Sequence, residues 1–176
     1  TALSLEGSDL AGAARHLREA ERLLSAQPVP DHVALAQVRF ELGGVAAQQG
    51  DLFAALACYR EALAVADQAA HDPAAIPWRI LARNNLAYHL HLLGNLDEAE
   101  RWVAEGLRLA NEYGTPGLQP YLLSTQGEIT LARGDLVAAE ASFTTGLTLA
   151  VQLELPERIA GITANLGLVA IRCGQT

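Results

Sequence analysis

The sequence predicts an all-α chain, an array of about four antiparallel helix pairs followed by a shortened fifth. One short phrase recurs as Ser8-Asp9-Leu10, Gly50-Asp51-Leu52, Gly94-Asn95-Leu96, Gly134-Asp135-Leu136 and Gly174-Gln175, its second residues 42, 44, 40 and 40 positions apart. A fixed period of this size marks a stacked repeat architecture rather than a closed globule. Apolar residues follow each phrase at steps of three and four, the spacing of one helix face. No segment alternates with the period of two that a half-buried strand requires.

Each phrase reads as a turn between two helices. The Gly takes the left-handed conformation that ends the first helix. The Asp or Asn then caps the second, its side-chain oxygen accepting an orphan backbone N–H. Asn95 stands three residues before Glu98, which is capping-box spacing. The Leu opens the apolar stripe of the second helix.

The stripes run in matching register. The first repeat offers Leu10, Ala13, Leu17, Ala20 and Leu24, and the second Leu52, Ala55, Leu56, Tyr59, Ala62 and Leu63. The third uses Leu96, Ala99, Val103, Gly106 and Leu107, and the fourth Leu136, Ala139, Phe143, Gly146 and Leu147. The recurrent small residue (Ala55, Ala99, Ala139) is expected where two helices approach closely. In the helix before each turn, Leu42-Gly43, Leu86-Ala87, Gln126-Gly127 and Leu166-Gly167 again put a small residue at a packing position. Breakers separate the repeats: Pro28 and Pro30, Pro73 and Pro77, Pro116 with Gly114 and Gly117, then Pro156. Helices are expected over 9–26, 32–49, 52–70, 74–93, 96–113, 118–133, 136–154 and 157–173, with 1–6 as the tail of a further one. The repeats fall near 1–27, 28–72, 73–115, 116–155 and 156–176, within a single domain, 1–176.

Composition narrows the function. The chain of 176 residues carries a formal net charge of −8, and its cations are twelve Arg with no Lys. A nucleic-acid-binding surface needs a clustered basic stripe, so direct nucleic-acid binding is not expected. No apolar run approaches the roughly 18 residues needed to span a bilayer, and nothing resembles a signal peptide, which points to a cytoplasmic chain without membrane partners. Cys58 and Cys173 have no motif spacing and read as small apolar helix residues. The absence of Met, and the stop within a repeat, point to a piece of a longer protein.

These residues resemble the tetratricopeptide (TPR) repeat. The resemblance rests on Leu42-Gly43, Gly50-Asp51-Leu52, Ala55, Tyr59 and Ala62, on Leu86-Ala87, Gly94-Asn95-Leu96, Ala99, Val103 and Gly106, and on Gly127, Gly134-Asp135-Leu136, Ala139, Phe143 and Gly146. It covers nearly the whole chain. The repeats of 40–44 residues exceed the typical 34, and this length is similar to the C-terminal sensor regions of bacterial transcription activators of the maltose-activator (MalT-like) class. Related arrays occur in signalling ATPases and kinesin light chains. The resemblance implies a right-handed superhelical array, an α-solenoid, whose concave wall is lined by first-helix residues.

It also implies a non-catalytic scaffold that binds a protein or peptide, within a larger regulatory or signalling protein. The alternative is a domain of a bacterial transcription regulator that senses a small ligand or signal peptide by changing curvature. Carrying the family's wall positions across points to Phe40, Asn84, Tyr88, His91, Tyr121, Ser124 and Glu128 as binding residues, with Leu131 and Leu168 among their neighbours. Aromatic rings supply contact area at low entropic cost, and an amide can hold an extended backbone. Some family members grip a C-terminal carboxylate with Lys, Asn and Arg on successive first helices. Lys is absent here, and Tyr121 and Thr125 occupy the matched positions of the next repeat, so that grip is not expected.

No catalytic residue, cofactor or metal site is expected. His89 and His91 diverge by about 200° around a helix and cannot share a metal. No nucleophile elbow, phosphate-cradling loop or carboxylate pair stands out. The mixed charges of Glu98, Glu100, Arg101, Glu105 and Arg108 read as a solvated outer face. Residues 157–173 form a first helix without its second, so Leu166, Val169, Ala170 and Cys173 are expected to lack cover and to allow homodimer pairing.

Overall fold

A computed structural model of the chain describes residues 9–174, all helix and turn. Eight α-helices follow in order: α1 (Leu10–Ser25), α2 (His32–Gln48), α3 (Leu52–Gln68), α4 (Ile76–Leu92), α5 (Leu96–Glu112), α6 (Gln119–Ala132), α7 (Leu136–Gln152) and α8 (Pro156–Arg172). Each expected helix is present, within a few residues of its expected ends. Pro73–Ala75 and Pro116–Leu118 form separate tight turns ahead of α4 and α6, which start two and one residues later than expected. The helix expected at 1–6 lies outside the described residues, as does Gln175.

The turn phrase folds as two interlocked caps. After α2, Gly50 (φ 82°) donates to the Ala47 carbonyl and Asp51 N–H to the Ala46 carbonyl, the paired bonds of a Schellman motif. Asp51 then turns its carboxylate onto Ala54 N–H at 2.9 Å. Gly134 and Asp135 repeat both halves between α6 and α7. Asn95 departs from expectation. Its N–H is already taken by the Leu90 carbonyl, so Glu98 has no backbone donor to reach, and its amide side chain donates to Glu98 instead (2.9 Å). The capping box does not form.

Close packing divides the chain into two compact units, which meet in sequence within α4, at Ala82 and Arg83. In the first, α2 packs against both α1 and α3. A Cβ on Gly43 would stand 2.6 Å from the Tyr59 ring, so only Gly lets that ring lie against α2. Leu35, Ala36, Val65 and Ala66 form the adjoining core with Leu24 and Trp78 against it. Ala13 is exposed, contrary to its expected place in the stripe, while Ala14 is buried. The counterparts of Ala13, namely Ala55, Ala99 and Ala139, are fully buried.

In the second unit, α6 packs against α5 and α7, α7 against α8, and α6 also touches α8. Gly127 accepts the Phe143 ring as Gly43 accepts Tyr59, and a Cβ there would lie 2.5 Å from it. Leu131, Ala139, Phe143, Ala150, Ile162 and Val169 form one core cluster. Leu131 is therefore a core residue and not part of an open wall. Val169 is buried in that cluster and Leu166 packs against it, so both face α7 rather than lacking cover. The side of α8 left open carries Gly167, Leu168 and Ile171, with Ile171 64% exposed.

Candidate functional site

First helices α4, α6 and α8 each contribute side chains to one cleft of about 650 Å³ in the second unit. Asn84, Tyr88, Tyr121, Ser124 and Glu128, all expected as binding residues, line it together. Their spacings of three and four place them on one face of each helix. Joining them are Asn85, His89, Thr125, Arg158 and Asn165, which the expected set lacks. His91 stands at the margin, its ring 6.0 Å from that of Tyr88 and its buried Nδ1 without a hydrogen-bond partner. Phe40 belongs to the first unit, where its ring lies 5.4 Å from Tyr59 and 5.6 Å from Trp78 in a packed aromatic cluster.

The floor of the cleft is a polar lattice between helices. Thr125 on α6 donates its hydroxyl to Asn84 Oδ1 on α4 at 3.0 Å. Asn84 Nδ2 in turn donates to Asn85 Oδ1 at 3.2 Å. His89 Nδ1 donates to the Asn85 carbonyl at 2.7 Å, so the ring is held in the Nδ1–H tautomer. Burial draws the His89 pKa down and favours the neutral ring, against the smaller opposing effect of that backbone bond.

Two charged groups face the cleft. Glu128 is half-buried, and burial pushes its pKa above the ordinary carboxylate value. Asn165 donates to it at 2.9 Å, and Ser124, His91 and Arg158 also favour the carboxylate, without reversing the rise. Arg158, from the first turns of α8, lays its guanidinium over the Tyr121 ring at 4.8 Å from the centroid. Its Nε is buried and makes no hydrogen bond. Tyr88 has its pKa raised by burial first and by Glu128 second, so its phenol stays a protonated donor. The site thus offers amide donors and acceptors, one half-exposed ring (Tyr88), one guanidinium-covered ring (Tyr121) and a carboxyl group whose pKa is raised by burial. Among the described residues no cluster of His, Cys, Asp and Glu is placed to hold a metal ion, and no helix is long and apolar enough to cross a membrane.

The added residues were hidden by the width of the wall. The expected set followed a single stripe, whereas the cleft also uses the neighbouring flank: Asn85, His89 and Thr125 each sit one position beyond an expected residue, and Asn165 one beyond Ala164, which also lines the cleft. Arg158 lies three residues before Gly161, which also lines the cleft, and so shares its helix face.

Comparison with solved structures places the chain among repeat proteins. It is similar to BtubC (BKLC) from P. vanneervenii, with a TM-score of 0.80 and 20% sequence identity over 97% of this chain and 68% of that one. The apo form of RapI gives a TM-score of 0.75 at 15% identity, over 94% of this chain, which spans only 44% of RapI. Nearly identical TPR-like repeats from a Podospora anserina protein described as a kinesin light chain give 0.65 at 17% identity, over 94% and 80%. No protein-family model matches the chain, and no curated protein matches it. At these identities the likeness establishes the fold: an all-α array of TPR-like helix-pair repeats.

Proposed function

We propose that this chain is a non-catalytic interaction module that binds an extended protein segment or peptide along α4, α6 and α8, within a larger regulatory or signalling protein. The observation that carries the reading is the convergence of Asn84, Tyr88, Tyr121, Ser124 and Asn165 from three helices onto one open polar cleft. An extended backbone presents alternating N–H and C=O groups, and side-chain amides are the groups that can both donate to and accept from it. The floor is already braced by the Thr125–Asn84 bond, so little ordering is needed on binding. Ser124 and Thr125 hydroxyls are both engaged in holding neighbours, which fits a binding wall better than a nucleophile.

Selection from a random displayed-peptide library tests this. The wild-type chain is expected to enrich a consensus sequence, and a Tyr88→Ala, Tyr121→Ala double variant to enrich none. The same consensus from both chains, or no enrichment by either, would overturn it.

A further inference from the structure

The Arg158 guanidinium is the least satisfied strong donor in the cleft. Its Nε is buried and unbonded, and no carboxylate among the described residues lies within salt-bridge distance of it. Arg39, Arg79, Arg83 and Arg133, by contrast, each hold a carboxylate. A buried donor without an acceptor is costly, so an acceptor brought by a ligand would be favourable here. The Tyr121 ring supports the guanidinium face, which leaves its in-plane N–H groups to meet a ligand.

Charge selects the acceptor. A guanidinium matches a carboxylate in geometry and charge, and the bond is stronger than one to a neutral carbonyl. Glu128 lies close enough to act on Arg158 electrostatically, so a group bringing a second negative charge, such as a phosphoryl, meets more repulsion than a carboxylate does. Asn165 and Ser124 already tie Glu128 down, which keeps it from taking the Arg158 site itself.

We propose that Arg158, laid on Tyr121, seats an acidic side chain of the segment that binds along α4, α6 and α8. This rests on the interaction-module reading and adds the chemistry of one residue in the ligand. Glu128 sets the charge limit of the seat: with Glu128 neutral, an acidic side chain binds more tightly.

The test uses capped peptides in pools, each with random flanks and one fixed central residue: Asp, Glu, Asn, Gln or phosphoserine. Both ends are blocked, and a parallel Asn pool with a free C-terminus reports a terminal carboxylate. Affinities are measured by calorimetry on the full chain. The wild type is expected to prefer Asp or Glu over Asn or Gln by about tenfold. Arg158→Gln removes that preference, and the acid-to-amide ratio within one chain is insensitive to any general loss of folded protein. Glu128→Gln raises the ratio at neutral pH, a gain that a merely structural role for Arg158 does not produce. Equal binding of acid and amide pools, an unchanged ratio in Arg158→Gln, or tighter binding of phosphoserine or of the free C-terminus than of Asp and Glu would overturn the seat and leave the interaction module standing. Failure of every pool to bind would overturn both.

Discussion

Thr125 on α6 and Asn84 on α4 share a buried hydrogen bond of 3.0 Å across 41 residues of sequence. It joins the first helices of two successive repeats at the floor of the cleft. Thr125→Val keeps the shape and removes the donor, leaving Asn84 Oδ1 buried without its partner. A loss of about 1–3 kcal/mol in urea unfolding is expected, together with weaker binding of any peptide selected on the wild type. An unchanged midpoint would show that the bond does not brace the floor.

The three aligned glycines give a prediction with an internal control. Gly43 and Gly127 lie against the Tyr59 and Phe143 rings, whereas Gly167, at the same place in α8, has nothing within 4 Å of a Cβ. Gly43→Ala and Gly127→Ala should each destabilise by about 1–3 kcal/mol through overpacking. Gly167→Ala should be neutral or stabilising by up to about 1 kcal/mol, because Ala is the better helix former. Thermal melts of the three variants compare them directly, and equal losses at all three would contradict ring-in-notch packing.

Turn chemistry predicts a stabilising change. Glu154 closes α7 with φ 54°, the role that Gly114 (φ 60°) performs after α5. The same paired bonds form: Glu154 N–H to the Val151 carbonyl and Leu155 N–H to the Ala150 carbonyl. A side chain in the left-handed region costs about 1 kcal/mol relative to Gly. Glu154→Gly should therefore raise the unfolding midpoint and Gly134→Ala lower it. A lower midpoint for Glu154→Gly would mean that the Glu side chain contributes more than the strain it carries.

Glu128 links stability to pH. Its carboxyl pKa is raised in the folded chain by burial, so the folded state holds this proton more firmly than the unfolded one. The stabilising contribution is fully present below the ordinary carboxylate pKa and is lost as pH rises through the elevated folded value. Glu128→Gln should flatten that part of the pH–stability profile and be neutral or stabilising at pH 7. Urea midpoints measured across the window decide it; parallel profiles for the two chains would remove Glu128 as the cause.

The end helix separates packing from surface. Val169 is 2% exposed and Ile171 64%. Val169→Glu should collapse the packing of α8 on α7, by several kcal/mol for an unpaired buried charge. Ile171→Glu should leave the melting profile intact. Any homodimer formed through this helix would use the face of Gly167, Leu168 and Ile171, and sedimentation of Ile171→Glu against the wild type reads it out.

Much of the fold was legible because it is local. Gly50 followed by Asp51 encodes both a helix stop and a helix start, and each half is satisfied within a few residues of chain. Asn95 misled because a capping box needs a free N–H, and the preceding Schellman turn had already used it. Ala13 misled because spacing defines a helix face and not what packs on it: Ala14, one position on, is the buried residue. The site was only partly legible. The family resemblance, carried across position by position, pointed to Asn84, Tyr88, Tyr121, Ser124 and Glu128, which line one cleft, and equally to Phe40, which packs its ring with Tyr59 and Trp78. The significance of Arg158 rests on its ring contact with Tyr121 and its unbonded Nε, and neither can be read from residue type or spacing.

The most direct measurement of the central claim is amide chemical-shift mapping with a peptide selected on the wild-type chain. Shifts concentrated at Asn84, Tyr88, Tyr121, Ser124 and Asn165 are predicted, with the outer residues of α5 and α7 unmoved. Shifts confined to those outer faces, or to the open side of α8, would contradict the cleft as the binding site.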